Sequence, residues 1–412
     1  MSVAVTLRVF IPFMAGYFLS YLFRSINNVI APDLVRDLGI DAAGLGLLTG
    51  AYLVTFAAFQ VPLGILLDRF GPRRTEAVLL LFAAAGALVF ALAQSVPMLI
   101  VGRGLIGLGV SACLMAAFKA FADWLPAHRL PLANGIIFAT GGVGMMMATI
   151  PVEMALGVTD WRGVFLFLAA CSLVFAILVR FMVPERPAHL REGHGETLSR
   201  QFGDMMAIFR SRTFLAMAPF SVATQATTIA VLGLWSGPWL RDVAGWGREA
   251  VAEGLFIIAL SLTISYFTMG TIASWVNRRG GSTVAVSAVG MVIYLFVQVL
   301  VAFDLNPWPM TTWILYAAFG TCGGLMYAAF TQVFPARLAG RVNTALNLLV
   351  FIYAFAIQWG MGAVINLWPV AADGGFAAEG YGAGFTIALL LQVLTLVWWG
   401  AAAWMWRASK AA

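Results

Sequence analysis

The chain has 412 residues, of which 62% are hydrophobic and only 10% are charged. That ratio excludes an ordinary soluble domain and indicates a protein that crosses a membrane many times. The net charge of +6 would also fit a nucleic-acid partner, but the positions of the basic residues, described below, explain it without one. The three cysteines all lie in apolar stretches, so no disulfide framework or metal-binding spacing is predicted.

Apolar runs of about 20 residues, the length needed to cross a bilayer, recur along the whole chain. Six of them precede a polar central stretch, at about 9–31, 44–67, 75–94, 98–119, 133–156 and 163–183. Six more follow it, at about 213–236, 251–275, 283–303, 310–333, 343–368 and 383–406. The sequence therefore predicts an all-α membrane protein with twelve transmembrane helices.

Lys and Arg concentrate in alternate connections between these runs. If both termini are cytoplasmic, most of the 24 Lys and Arg fall on the cytoplasmic side, as expected for membrane proteins, whose short inner loops are basic. This asymmetry predicts cytoplasmic termini and explains the positive net charge without nucleic acid. We expect the protein in a bacterial inner membrane.

Residues 184–212 form the longest polar stretch and lie near the middle of the chain. The stretch is rich in arginine and also contains proline, glycine and acidic residues. We interpret it as a cytoplasmic linker between two six-helix halves, residues 1–183 and 213–412.

The connection between the second and third predicted helices carries a dense set of glycines and charges. It reads Gly64-Ile-Leu-Leu-Asp68-Arg69-Phe-Gly71-Pro72-Arg73-Arg74. This segment resembles the loop between helices 2 and 3 of major facilitator superfamily transporters, G-x-x-x-D-R-x-G-x-R-R. The resemblance implies two pseudo-symmetric halves that work by alternating access. It also implies that the loop gates the carrier, with Asp68 facing the start of helix 11 near Asn343.

Weak internal repeats support the two-half organisation. The segment 270–280 keeps the glycine and the arginine pair of the loop but has Ser274 at the aspartate position. The spacing from Pro126 to Asn134 is repeated from Pro335 to Asn343, at nearly the same offset along the chain. Such a pattern is typical of a duplicated half-chain.

Charged residues inside the apolar runs are the sharpest functional signal, because an arginine at the centre of a membrane helix costs about 2.5–3.5 kcal/mol to insert. Arg24 lies in the first run and Arg103 in the fourth, while Glu153, near the outer end of the fifth, is taken as the only comparable acid. A positive site in low dielectric attracts anions, and a guanidinium suits a carboxylate or phosphate. Two roles stay open for both arginines: substrate binding, or bonding to backbone carbonyls or Glu153 in support of folding and gating.

The surroundings of these arginines resemble the organic anion:cation symporter branch of the superfamily. The matching patterns are Tyr21-x-x-Arg24-x-x-Asn27, Ala31-Pro32-x-Leu34-x-x-Asp37-Leu38-Gly39 and, more generally for the superfamily, Arg103-x-x-x-Gly107-x-Gly109. The resemblance implies that Arg24 and Arg103 bind an anionic substrate, with Tyr21 and Asn27 beside it, and that Arg103 also serves coupling.

This sequence departs from the branch at the acids that proton-coupled members often carry near these arginines. The positions hold Phe23 and the run Ser111-Ala112-Cys113 instead. Anion exchange, facilitated diffusion and coupling through Glu153 therefore all stay open.

The second half has no charge in the middle of its membrane runs. The superfamily resemblance places helices 1, 4, 7 and 10 around the substrate cavity. The second-half candidates for substrate contact are Gln225, Tyr316, Tyr327, Tyr353 and Gln358. Each alone is more typical of an interhelical hydrogen bond or an interfacial aromatic residue. Together they are expected to surround the polar or aromatic body of a substrate whose anionic group the first half holds.

The sequence thus predicts a secondary active or facilitative transporter of a small organic anion such as a carboxylate. It would work as a monomer in the lipid bilayer, by symport or antiport with a proton or a counter-anion. Two alternatives remain: efflux or uptake of amphipathic or siderophore-like compounds, and a non-transporting receptor on the same fold. No enzymatic activity, cofactor or metal is expected.

Overall fold

The structure is a computed structural model that describes residues 3–125, 130–184, 198–305, 307–335, 338–371 and 374–411. Within these ranges the regular secondary structure is helical throughout. The chain divides into two compact units. One comprises Met1–Ile40 and Leu47–Leu198, and the other comprises Asp41–Gly46 and Ser199–Ala412. The proposed halves 1–183 and 213–412, with the linker 184–212 between them, stay a prediction.

The first unit contains helices α1 to α8. Their bounds are α1 Val3–Ser25, α2 Asn27–Leu38, α3 Ala42–Ala91, α4 Val96–Val110, α5 Cys113–Trp124, α6 Leu130–Met147, α7 Ile150–Leu156 and α8 Trp161–Met182. The first residues of α3 belong to the second unit. Helix α1 packs on α4, α5, α6 and α8, so it is the central helix of this unit.

The second unit contains helices α9 to α17. Their bounds are α9 Leu198–Phe209, α10 Arg212–Ala230, α11 Ser236–Asp242, α12 Arg248–Arg278, α13 Thr283–Ala302, α14 Pro309–Gly320, α15 Leu325–Val333, α16 Ala339–Ile365 and α17 Ala378–Ala411. A π-helical turn, Val231–Trp235, joins α10 to α11, and a 3₁₀ turn, Thr321–Gly324, joins α14 to α15. Helix α10 packs on α16 and α17.

The described residues include 11 helices long and apolar enough to cross a membrane, or up to 12 if a bent pair counts as one span. Helices suit this environment because all their backbone polar groups bond within the segment. Large apolar side chains such as Phe167, Phe181 and Phe296 are exposed on their surfaces, as expected for helices in contact with lipid. The predicted all-α, twelve-helix fold is confirmed.

The first span is bent rather than continuous, which corrects the uninterrupted helix predicted at 9–31. Residues Leu7–Ser25 and Asn27–Leu38 meet at 46°. The side chain of Arg103 donates to the carbonyl oxygen of Phe23, and a side chain that bonds a helix carbonyl is a recognised cause of a kink.

Irregular turns also interrupt helices that the sequence predicts as continuous. At three of them a hydroxyl side chain donates to the carbonyl oxygen three residues earlier: Ser111 to Leu108 at 2.7 Å, Thr149 to Met146 at 2.6 Å and Thr321 to Ala318 at 2.7 Å. Such bonds compete with the helical backbone pattern and end or bend helices.

The glycine-rich connection after the second predicted helix is more helical than its sequence suggests. Helix continues on both sides, and the break is at Gly71, whose φ of 76° and ψ of 166° are accessible in practice only to glycine. Pro72 then begins the next helical segment. Proline is favourable at this position, because a backbone N–H there would have no acceptor within the helix.

Part of the predicted linker is also helical. Helix α9 buries Met205 and Ile208, which are three residues apart and so share one face. Residues 126–129 and 336–337, which belong to the two copies of the second repeat, and residues 185–197 of the linker lie outside the described residues.

Candidate functional site

Arg24 lies in the last turn of α1, directly before the bend in the first span. The carboxyl end of a helix carries partial negative charge, which favours a cation there. The guanidinium carbon is 4.7 Å from the ring centre of Tyr21 and 5.4 Å from that of Phe56, and the side chain is half-buried. Aromatic faces stabilise a cation while leaving its charge in place.

Arg103 on α4 is fully buried. Its Nη1 donates to the carbonyl oxygen of Phe23 at 2.7 Å, in the last turn of α1. Its Nε and Nη2 find no acceptor among the described residues, and no described carboxylate pairs with it. The alternative pairing of Arg103 with Glu153 is therefore not present, whereas bonding to a backbone carbonyl is.

Tyr52 on α3 lies beside both cations. Its ring centre is 5.9 Å from the guanidinium carbon of Arg24 and 5.8 Å from that of Arg103. The hydroxyl donates to the carbonyl oxygen of Ser20 at 3.2 Å and lies within hydrogen-bonding reach of the Arg24 guanidinium. Tyr52 was missed in the sequence, because a single tyrosine in an apolar run matches no motif.

Tyr21 and Asn27, the other two candidates on the first span, lie on either side of the bend. Asn27 is buried, and its Nδ2 donates to Oγ1 of Thr49 at 2.7 Å. Tyr21 packs on Gly141 of α6, where an added Cβ would lie 3.0 Å from its ring. Both contacts hold α1 and α2 against neighbouring helices beside Arg24. Direct contact of either residue with a substrate stays a prediction.

The glycines of α4 bring its backbone into direct contact with both halves of α3. A Cβ on Gly107 would lie 2.3 Å from the carbonyl oxygen of Tyr52, and one on Gly109 would lie 2.3 Å from the amide nitrogen of Ala83. Small residues permit such close helix approach in membranes. The Arg103-x-x-x-Gly107-x-Gly109 pattern therefore places the arginine deep between helices.

Glu76, in the second half of α3, is an embedded acid that the sequence analysis missed. It is fully buried, whereas Glu153, in the first turn of the short helix α7, is only half-buried. The expectation that Glu153 is the only embedded acid is therefore wrong. The sequence did contain a signal for a buried acid, since Glu76 falls within the predicted run 75–94. Its neighbours Arg73 and Arg74, however, are typical of a solvated loop.

Three of the second-half candidates lie around the end of α10. Nε2 of Gln358 donates to the carbonyl oxygen of Ala230 at 3.1 Å. Gln225 packs against Gly323 in the 3₁₀ turn. Tyr316 stacks edge-on against Tyr294, with ring centres 4.8 Å apart.

The other two second-half candidates have different surroundings. The Tyr327 hydroxyl donates to Oδ1 of Asn347 at 3.0 Å, and Tyr353 is half-buried. The polar and aromatic residues of this unit thus form several hydrogen-bonded contacts between helices. Their contact with a substrate stays a prediction.

The gating candidates of the glycine-rich loop make contacts within the first unit. Lys119 of α5 donates from Nζ to the Asp68 carboxylate at 2.6 Å. Nε of Arg73 donates to the carbonyl oxygen of Arg180 at 2.7 Å, and Arg69 stacks on the neighbouring Phe70 ring. The expected approach of Asp68 to Asn343 stays a prediction.

Groups of three or more His, Cys, Asp or Glu side chains that could hold a metal ion do not occur among the described residues. The side chains assembled around Tyr52 are two guanidinium groups, aromatic rings and hydroxyls. Such a set can bind an anion and orient it.

Several transporters share parts of this sequence. A probable sulfoacetate transporter of Cupriavidus necator is 30% identical over 171 residues, which is 42% of this chain and 40% of that protein. The hexuronate transporter of Escherichia coli K12 is 28% identical over 179 residues, which is 43% of this chain and 41% of that protein. The chain thus matches less than half the length of these relatives.

Solved structures share the whole fold. The crystal structure of a bacterial homologue of the human lysosomal transporter Spinster aligns with a TM-score of 0.79 at 18% identity, covering 98% of this chain and 97% of that one. The sequence model of the Major Facilitator Superfamily matches residues 13–357. The chain belongs to the Major Facilitator Superfamily.

Proposed function

We propose that this protein is a secondary active or facilitative carrier of a small organic anion, which it moves across the membrane by alternating access. The observation that carries the proposal is the placement of two guanidinium groups around Tyr52, with Nε and Nη2 of Arg103 lacking an acceptor among the described residues. A positive charge in low dielectric attracts anions strongly. The roles of the relatives, probable sulfoacetate transport and hexuronate transport, support the same class of substrate.

The two arginines have different roles in this proposal. Arg24, half-buried among aromatic rings, contacts the carboxylate or sulfonate, because a planar guanidinium can bond two of its oxygens at once. Arg103, fully buried, adds positive potential and fixes the backbone next to Arg24 through its bond to Phe23.

We also infer the setting of the carrier. Its helices cross the bacterial inner membrane with both termini in the cytoplasm, as the distribution of Lys and Arg indicates. It acts as a monomer and catalyses no chemical reaction.

A thermal-shift screen of purified protein tests the proposal. We expect sulfoacetate, D-glucuronate or D-galacturonate to raise the thermal midpoint of the wild type, because a ligand of the native state stabilises it. The Arg24→Gln variant should lose this shift. Stabilisation by neutral or cationic compounds alone, unchanged in Arg24→Gln, would contradict the anion proposal and favour the alternative of amphipathic or siderophore-like cargo.

Uptake into sealed proteoliposomes separates a carrier from a receptor. We expect the anion that stabilises the wild type to enter wild-type vesicles and not vesicles with Arg24→Gln. Stabilisation without any flux would identify a non-transporting receptor instead.

A further inference from the structure

Glu76 is a buried carboxyl group with no role in the anion contacts described above. It lies in the second half of α3, with no measurable exposure. Neither carboxyl oxygen has a hydrogen-bond partner among the described residues. Buried polar groups normally have such partners, so an unsatisfied carboxyl group needs an explanation.

The backbone of α1 gives this carboxyl group its space. A Cβ on Gly16 would lie 2.2 Å from Oε1 of Glu76 and 3.6 Å from Sγ of Cys113. A glycine at position 16 thus allows the carboxyl group to lie directly on α1. The thiol of Cys113 on α5 lies within hydrogen-bonding reach of the same carboxyl group, but a thiol is a weak donor.

No described cation pairs with Glu76. Arg73 and Arg74, the cations nearest to Glu76 along its own helix, precede Thr75 in the chain. Arg73 donates to the carbonyl oxygen of Arg180. Lys119 on α5 bonds Asp68, and the guanidinium group of Arg24 on α1 lies against aromatic rings, among them those of Tyr21 and Phe56. Besides Glu76, the titratable and charged groups on the three helices that meet here are Arg8, Tyr17, Tyr21, Arg24, Tyr52, Asp68, Arg69, Arg73, Arg74, Cys113, Lys119 and Asp123.

An ionised carboxylate in such surroundings is strongly disfavoured, because it has lost its water and gained only a weak thiol donor. A neutral carboxyl group is compatible with them. The same group would release its proton in a state of the carrier in which water reaches it. A group that is dry in one state and hydrated in another binds and releases a proton once per cycle.

We propose that Glu76 is the proton-binding site of this carrier, and that one proton crosses the membrane with each anion. The proton binds to a Glu76 carboxylate oxygen from water on one side and leaves to water on the other, with no other bond made or broken. This inference rests on the proposed anion transport and adds the coupling ion to it.

The position of Glu76 sets the direction of the coupling. Gly16, which touches Glu76, is eight residues before Arg24 on α1, a separation of about 12 Å along the helix. Taken as the separation between the Glu76 carboxylate and an anion at Arg24, this distance means that an ionised Glu76 would weaken anion binding about tenfold, for an effective dielectric constant of about 20. Protonation removes this repulsion, and by linkage the bound anion favours protonation equally. Proton and anion therefore travel together as a symport.

Infrared difference spectroscopy of the purified carrier tests the titration without any substrate. We expect acidification to produce the C=O stretch of a protonated, buried carboxyl group in the wild type. The isosteric variant Glu76→Gln should lack that band, and Glu253→Gln, a change at an exposed glutamate of α12, should keep it. An unchanged band in Glu76→Gln overturns the proposal.

Proteoliposomes with a pH-sensitive dye inside test the coupling. We expect external sulfoacetate or D-galacturonate, whichever stabilises the wild type, to acidify the lumen of wild-type vesicles. In Glu76→Gln the acidification should fall to the level of empty liposomes, while exchange of labelled anion across the membrane continues. Arg24→Gln should lose both activities, which distinguishes a failure of coupling from a failure of anion binding.

Two outcomes of the transport assay overturn the assignment. One is equal proton entry per anion in the wild type and Glu76→Gln. The other is loss of proton entry in Glu153→Gln with its retention in Glu76→Gln, which would make Glu153 the coupling residue. If neither anion is transported, the infrared experiment still decides whether Glu76 titrates.

Discussion

Nη1 of Arg103 donates to the carbonyl oxygen of Phe23 at 2.7 Å, and Phe23 directly precedes Arg24 in the chain. The buried arginine of α4 thus fixes the backbone that carries the half-buried arginine of α1. A charge-assisted bond of this kind is roughly twice as strong as a neutral one. The two arginines therefore act as one unit, with Arg103 positioning the group that meets the anion.

Replacing Arg103 should weaken anion binding even though it is fully buried. Arg103→Lys keeps the charge but loses the planar fork that reaches Phe23, so we expect the dissociation constant to rise about ten- to hundredfold. Arg103→Gln should weaken binding further, because it also removes the positive potential. Titration calorimetry with the stabilising anion measures both variants. Wild-type affinity in Arg103→Gln would exclude any contribution of this residue to the site.

Tyr52→Phe should have a smaller effect. It keeps the ring next to both guanidinium groups and removes only the hydroxyl that bonds Ser20 and reaches Arg24. Loss of one neutral hydrogen bond predicts a fall in affinity of about two- to tenfold. Tyr52→Leu, which removes the ring as well, should weaken binding more. Equal affinities for the two variants would show that the ring contributes nothing.

The ion pair between Lys119 and Asp68 gives a way to test gating. Both side chains are partly exposed, so the pair itself contributes only about 0–1 kcal/mol to stability. We expect Asp68→Asn to slow turnover in proteoliposomes more than it weakens anion binding. Lys119→Gln, which removes the pair and keeps the aspartate, is the matched control and should slow turnover less. A loss of affinity in Asp68→Asn as large as the loss of rate would contradict a gating role.

Gly107→Ala should lower the stability of the first unit. The new Cβ would lie 2.3 Å from the carbonyl oxygen of Tyr52, and overpacking of this kind costs about 1–3 kcal/mol. Gly135→Ala on α6 is the control, because a Cβ there meets no heavy atom within 4 Å. Thermal midpoints in detergent compare the two. A midpoint in Gly107→Ala equal to that of Gly135→Ala would contradict the close approach of α4 to α3.

The helices could be predicted from the sequence because the bilayer imposes a length of about 20 apolar residues on each span. Their interruptions could not be predicted in this way. Ser111 and Thr149 bend or end helices by bonding carbonyl oxygens three residues earlier, but other hydroxyl residues, such as Ser172, bond within a continuous helix. Whether such a hydroxyl bond interrupts a helix depends on side-chain packing, which a hydropathy pattern does not describe.

Arg24 and Arg103 stood out in the sequence because each interrupts an apolar run with a charge. Tyr52 did not, since its importance depends on where α3 passes α1. Glu76 was hidden for a different reason. In the sequence it follows Arg73 and Arg74 so closely that it resembles a solvated loop residue. Its burial results from the helical segment that begins at Pro72 and from the glycine at position 16, which lets α1 lie against it.

The most direct test of the account is the dissociation constant of the stabilising anion for the wild type, Arg24→Lys and Arg24→Gln. Removing one member of a desolvated charge pair costs about 2–5 kcal/mol, so the account predicts that Arg24→Gln binds the anion about thirtyfold to several thousandfold more weakly. Arg24→Lys should fall between the two. A dissociation constant for Arg24→Gln equal to that of the wild type would contradict the assignment of Arg24 as the anion-binding residue.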